Sequence, residues 1–398
     1  MRWIVSGELD EDNSACIEFC VADLLGFSFI GTHKPDAKIQ FYGPFGEHVS
    51  MGNVSIEICR YLVKRLDHVA IHNYIPAPWI DKELESYSGL NSKADIGIIL
   101  GTPDIVPEFF YDHDISIGGF VCETDAINPQ WVAVCNKLDL VFVPTKWCQS
   151  AFLNSGVTSP IYVLPHGIEE DYKPVDGLLD TEDFVFYNTF HSGSFCSRKS
   201  MEELIRAFLN TFSSGDNAVL RLRTDESSKL KECKRKYNFG TKIQHEPLEH
   251  CSTEDFASIY SQVHCTVHPS KGEGFGLIPF QSIACETPVI APHKTGMADY
   301  LRDDNSVMVE TNGRVKGEGV GNSHGTYFSI DEQDLQKKLR YMYENWQYEK
   351  DKLKASAPLF REKHSWPNVL SGFFNLLELL LSVNQDDRIA ILARYKVK

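Results

Sequence analysis

Short apolar runs with strand character alternate with stretches of helical period, and the alternation is played twice along the chain. Residues 38–43 (KIQFYG) read as a buried strand, 53–66 (NVSIEICRYLVKRL) carry apolar side chains at helical spacing, and 68–74 (HVAIHNY) return as a strand. A loop holding Gly46, Met51 and Gly52 joins the first two. Further strands are predicted at 94–100, 115–122, 138–143 and 161–164, with helices around 130–135 and 147–155. A break follows over 165–177, punctuated by Gly167 and Pro174, of the composition that commonly joins domains. The pattern then restarts: strand 184–189, helix 200–212, strand 218–223, helix 251–261, strand 265–268, and a largely helical tail from Asp331. Such alternation predicts an α/β fold with parallel sheets wrapped by helices, here two in tandem. The 398 residues agree, being too many for one ordinary core.

Composition narrows the class. A hydrophobic fraction of 42% and a charged fraction of 24% are those of a globular protein. The net charge of −16 argues against a broad nucleic-acid footprint. Eleven cysteines are scattered without a CxxC pair, Cys16 and Cys20 being the closest. That usage fits buried free thiols in a reducing compartment, and a cytoplasmic location is the expectation. The N-terminal residues turn acidic at once, unlike a secretory leader, and no run reaches the roughly 18 apolar residues of a membrane span. Residues 229–236 (KLKECKRK) read as a solvated helix face.

The chemistry concentrates in residues 268–292 (HPSKGEGFGLIPFQSIACETPVIAP), which read as strand, glycine-rich turn, helix and strand. Glu273 stands at the turn, followed by Gly274 and Gly276. A glycine-lined turn at a helix N-terminus lets a phosphate approach backbone N–H groups. The carboxylate is wrong for phosphate and right for sugar hydroxyls. The pairing suggests a ligand carrying both, such as a nucleotide sugar.

These residues resemble the second domain of retaining GT-B glycosyltransferases of the family-4 type, whose E-x7-E motif reads EGFGL with a second glutamate downstream. Glu273-Gly274-Phe275-Gly276-Leu277 matches, as do Ala284 and Thr287-Pro288-Val289-Ile290. Arg198-Lys199 with Arg206-Ala207-Phe208, Val143-Pro144-Thr145, Leu164-Pro165-His166-Gly167-Ile168, Thr295-Gly296 with Asp299-Tyr300-Leu301, and His364-Ser365-Trp366 resemble further family segments in the same order. Two positions depart from the pattern: the second glutamate is Gln281, and Glu286 replaces a small residue. An amide at 281 still donates to and accepts from ribose hydroxyls.

The resemblance implies two Rossmann-like domains with a cleft between them: an N-terminal extension (1–38), an acceptor domain (39–168), a nucleotide-sugar domain (169–362) and a helical tail (363–398) crossing back to the first. It implies transfer of a sugar from a nucleoside-diphosphate sugar to an acceptor hydroxyl with retention of anomeric configuration. UDP- and GDP-sugars are the first donor candidates, and no metal is implied. Glu273 would bind donor-sugar hydroxyls, and Lys199 and Arg198 would neutralise the leaving diphosphate where negative charge develops. Glu123 would contact the acceptor or the sugar. Gly274, Phe275, Gly276, Leu277, Gln281, Gly193, Gly52 and Met51 would line the donor, with Asp125 a helix cap and His166 at the hinge. Asp112-His113-Asp114 has the D-x-D spacing of metal-dependent transferases, which use another domain arrangement. The acceptor stays open among glycan, protein and modified DNA. A phage-type enzyme glycosylating hydroxymethylated pyrimidines, a sugar-nucleotide epimerase and a non-catalytic nucleotide-sugar-binding relative are the alternatives.

Overall fold

The computed structural model describes residues 37–45, 50–90, 93–191, 197–249, 252–319, 321 and 323–396. Six strands make the first sheet: β1 (Lys38–Gly43), β2 (His68–Asn73), β3 (Ile96–Gly101), β4 (Ser116–Phe120), β5 (Leu140–Val143) and β6 (Ile161–Val163). They are parallel throughout, in the order β2-β1-β3-β4-β5-β6. The central strands are apolar without interruption because helices cover both faces, leaving no solvent side for polar residues. Successive side chains serve the two faces in turn. Ile98 and Leu100 join a core with Leu62 and Phe142, while Ile99 joins Trp131 and Phe152 on the other side. The covering helices are α1 (Ser50–Val63), α2 (Lys82–Glu85), α3 (Pro129–Cys135) and α4 (Lys146–Asn154). Asn128 caps α3 and Thr145 caps α4, each side chain accepting a backbone N–H of the first turn.

The second sheet comprises β7 (Phe184–Thr189), β8 (Ala218–Thr224), β9 (Ile243–Pro247), β10 (Cys265–Val267), β11 (Val289–Ala291) and β12 (Val307–Met308). It too is parallel, in the order β12-β11-β10-β7-β8-β9. Its helices are α5 (Met201–Thr211), α6 (Ser228–Lys236), α7 (Thr253–Tyr260) and α8 (Leu277–Ala284). The strand order reverses between β7 and β10, so loops leaving their carboxyl ends diverge and open a crevice there. The predicted α/β fold with two parallel sheets is the one observed, and most element ends differ from the sequence reading by one to three residues. The basic run falls on α6, where Lys229 and Lys236 pair with Glu202.

An antiparallel hairpin, β13 (Thr311–Lys316) and β14 (Thr326–Ile330), was not legible in the sequence. The tail forms α9 (Glu332–Lys363), α10 (Trp366–Ser382) and α11 (Gln385–Leu392). Helix α9 packs on the second sheet through Leu335, Leu339 and Met342. Helix α10 instead supplies Trp366, Leu370, Phe373 and Phe374 to the core of the first sheet. The rings of Phe373 and Phe142 lie 5.2 Å apart, and those of Phe374 and Tyr61 4.5 Å. The two crossings between the halves meet where Ile168 N–H donates to the His364 carbonyl at 2.7 Å. Gly167 fits there because any Cβ would stand 2.4 Å from the Trp366 ring. No helix among the described residues is long and apolar enough to cross a membrane.

Candidate active site

Strand β10 delivers His268, and the chain then turns through Gly272-Glu273-Gly274-Phe275-Gly276 into α8. Gly276 adopts φ 91°, a left-handed conformation that favours glycine, and the Tyr300 hydroxyl donates to its carbonyl at 2.6 Å. The backbone of Glu273 is pinned on both sides. Its N–H donates to Thr295 Oγ1 at 3.1 Å, and Gly296 N–H donates to its carbonyl at 2.9 Å. Gly296 is packed so tightly that a Cβ would lie 2.1 Å from the Gly274 carbonyl oxygen. The N-terminus of α8, where Leu277 and Ile278 carry backbone N–H groups and Pro279 has none, therefore directly follows a rigid turn that holds the carboxylate.

Glu273 is only 7% exposed. Its Oε1 accepts from Lys199 Nζ at 2.5 Å and from His268 Nε2 at 2.9 Å, and its Oε2 lies 3.2 Å from Arg198 Nη1. Arg198 also donates to the Gly272 carbonyl at 2.6 Å, and its other terminal nitrogen lies 3.5 Å from Glu123 Oε1. Burial pushes the Glu273 carboxyl up, but Lys199 and Arg198 outweigh it and hold the group well below the ordinary carboxylate range. Burial lowers the Lys199 ammonium against the pull of Glu273, and lowers His268 as well. Arg198 is raised despite its burial, through Glu273 and Glu123. The site is thus an ionised carboxylate ringed by two cations and one imidazole at the strand-order reversal.

The first half closes on this turn. A Cβ on Gly272 would meet the Glu123 carbonyl oxygen at 2.6 Å, and one on Gly274 the Cys122 carbonyl oxygen at 3.0 Å. Thr145 Oγ1 donates to the Gly274 carbonyl at 2.8 Å, and Lys146 N–H donates to Asp299 Oδ2 at 2.8 Å. A side chain at 272 would strike the backbone of the other half, and one at 274 would press tightly on it, because segments of the two halves meet there.

Glu273, Lys199, Arg198 and Glu123 are therefore brought together. Several expectations need correction. Arg198 and Lys199 do not open a helix: α5 starts at Met201, and Ser200 in the left-handed region (φ 54°) keeps the pair in the preceding turn. Met51 and Gly52 do not lie in a loop but in the first turn of α1, where Met51 packs on the first core. Asp125 is not a helix cap, since Asn128 holds that place. It accepts from Thr326 N–H at 2.7 Å and pairs with Arg314, tying the hairpin to the first half. Phe275 turns its ring into the core against Phe280 and Tyr300, leaving only its backbone for a ligand, and Leu277 packs against that core half-buried. Gln281 is buried, and its Oε1 accepts from the Tyr260 hydroxyl at 3.2 Å. His166 is buried with its ring 4.7 Å from that of Phe275, and burial pushes its pKa down to about 3. His113 of the D-x-D segment is built into the first half, its Nδ1 accepting from Ala94 N–H at 2.9 Å. Gly193 lies outside the described residues.

Sequence reading missed two participants. Thr145 has the serine-or-threonine signature of a helix cap, but its second bond to Gly274 depends on the partner half. His268 sits one residue beyond a strand, a position that by itself gives no sign of a carboxylate five residues on.

Residues 180–317 match the family Glycosyl transferases group 1. An uncharacterized glycosyltransferase of Methanocaldococcus jannaschii is 27% identical over 130 residues, 32% of this chain and 32% of that protein. The matched stretch thus spans about a third of that relative. Among solved structures, sucrose-phosphate synthase from Thermosynechococcus elongatus superposes with a TM-score of 0.65 at 14% identity, covering 87% of this chain and all of that one. Anabaena HepE in complex with UDP-glucose gives 0.64 at 13% identity over 86% of this chain and 100% of its own. The lipopolysaccharide glycosyltransferase WaaG gives 0.58 at 12% over 80% and 95%. The fold is that of the GT-B glycosyltransferases, with two parallel sheets and C-terminal helices.

Proposed function

We propose that the protein is a retaining glycosyltransferase that uses a nucleoside-diphosphate sugar, with the donor seated on the second half and the acceptor on the first. The observation that carries this reading is the placement of Glu273 and Lys199, 2.5 Å apart, on the loops that leave the two strands flanking the order reversal, beside the N-terminus of α8. Ligands of parallel α/β sheets bind at that reversal. Glu273 Oε2 retains acceptor capacity for a sugar hydroxyl, since an ionised carboxylate has about four lone-pair sites. Lys199 and the α8 N-terminus supply positive potential for the diphosphate. UDP is the first nucleotide to test, because the similar HepE is known in complex with UDP-glucose.

In the proposed reaction the anomeric C–O bond to the diphosphate breaks while the acceptor oxygen bonds to the same face of that carbon. The acceptor proton passes to the departing phosphate oxygen. Lys199 stabilises the charge that develops there. Glu123, reaching the cluster from the first half, is placed to orient the acceptor hydroxyl. Closure of the halves around the donor excludes water, which otherwise competes as acceptor.

A thermal-shift panel of UDP-, GDP-, ADP- and dTDP-sugars tests the donor site, because a ligand that binds only the folded state raises its midpoint. One nucleotide class is expected to shift the midpoint, with slow hydrolysis of the same donor lost in Glu273→Ala. A panel with no shift overturns the reading.

A further inference from the structure

We propose that His268 is a positioning residue for Glu273: a neutral imidazole whose Nε2–H holds Oε1 and so reserves Oε2 for a sugar hydroxyl. The inference rests on the donor reading above and adds a residue to it. Both lone-pair sites of Glu273 Oε1 are taken, one by Lys199 at 2.5 Å and one by His268 at 2.9 Å. Oε2 is approached only from the Arg198 side, at 3.2 Å, among the ion pairs of the described residues.

A carboxylate only accepts, so Nε2 must carry the hydrogen. The opposite ring nitrogen is buried and without a hydrogen-bond partner, and the side chain is 2% exposed. A bare Nδ1 is tolerable in that position, whereas an N–H there would be an unsatisfied buried donor. A charged imidazolium would also stand beside Arg198 and Lys199. The Nε2–H neutral tautomer is thus set from three directions, and it fixes the carboxylate plane relative to the α8 N-terminus. Lys199, on a flexible four-carbon stem, does not impose that orientation by itself.

The test compares His268→Gln, whose amide nitrogen reaches nearly as far as Nε2, with His268→Asn, whose amide falls short. Binding of UDP-glucose and of UDP is measured calorimetrically on the full chain. His268→Gln is expected to bind UDP-glucose within about threefold of wild type, and His268→Asn about tenfold or more weakly, the loss expected for a hydrogen bond to a charged group. UDP, which lacks the sugar, is expected to bind all three equally. In parallel, 15N-histidine NMR of the wild type, with the resonance assigned by its loss in His268→Gln, should show the Nε2–H tautomer. Equal loss of UDP and UDP-glucose in His268→Asn, no advantage of Gln over Asn, or an Nδ1–H tautomer overturns the proposal. Wild type that binds neither nucleotide counts against the donor reading, and the tautomer then decides the role of His268 separately.

Discussion

Glu273→Gln isolates the charge on which the site is built. The substitution keeps shape and removes the negative charge between Lys199, whose side chain is 12% exposed, and Arg198, at 6%. Removing one partner of a buried ion pair is strongly destabilising, by about 3–5 kcal/mol, because the other charge is left uncompensated. Glu123 remains 3.5 Å from Arg198 and offsets part of that loss, and Lys199 can shed its proton, so the lower end, about 3 kcal/mol, is expected.

The pH dependence gives a sharper signature. Glu273 has a folded-state pKa held well below its unfolded value of about 4.3. Its contribution is therefore fully present above about pH 4.3 and is lost as pH falls toward the folded value, at up to about 1.4 kcal/mol per pH unit. Glu273→Gln lacks that contribution at every pH, so the stability gap to wild type is greatest near neutrality and narrows in acid. Urea unfolding of both proteins at several pH values from 7 to 3 measures the gap. A difference below about 1 kcal/mol at pH 7, or curves that stay parallel into acid, would refute the assignment of Glu273 as a buried carboxylate compensated by Lys199 and Arg198.

Other perturbations follow from the same contacts. Gly296→Ala forces a Cβ against the Gly274 carbonyl, where backbone has to move, and is expected to lose about 1–3 kcal/mol in chemical denaturation together with the UDP-glucose thermal shift. Phe373→Ala, at a fully buried position where α10 meets the first sheet, is expected to lose about 3–5 kcal/mol by the same assay while leaving the Glu273 cluster intact. Asp125→Ala removes a half-exposed pair with Arg314 and should change global stability by no more than about 1 kcal/mol. Hydrogen exchange should nevertheless show the Thr326 amide losing protection, since that N–H donates to Asp125. Burial raises the Glu169 carboxyl to about 8, so wild type is expected to lose stability as pH rises from about 4.3 through 8. Glu169→Gln should flatten that slope in thermal melts between pH 5 and 9.

Most strands of both sheets were legible because burial on two faces demands continuous apolar runs, as in residues 96–101 and 184–189. The edge strands β9, with a single buried residue, and β12, two residues long, went unread because neither carries such a run. The hairpin was not, because β13 (TNGRVK) is exposed along almost its whole length and carries neither an apolar run nor an alternation. The start of α1 was misread since a methionine and a glycine after a strand look like loop, and only packing of Met51 on the first core draws them into the helix. Arg198 and Lys199 looked like the opening of a helix because nothing local reports that Ser200 is left-handed.

For the site, the residues 268–292 by themselves determined that a carboxylate would stand in a glycine-lined turn ahead of a helix, since β10, the turn and α8 are consecutive in the chain. They did not determine what surrounds that carboxylate. Lys199 is 74 residues away and meets Glu273 only because β7 and β10 are neighbours at the order reversal. Glu123 comes from the other sheet and arrives through the closure of one half on the other. Whether a buried carboxylate is ionised, which of its oxygens keeps acceptor capacity, and which imidazole holds it are matters of distance in three dimensions. Local pattern determines where the chain turns, and the packing of parallel strands from distant segments decides which charges meet there.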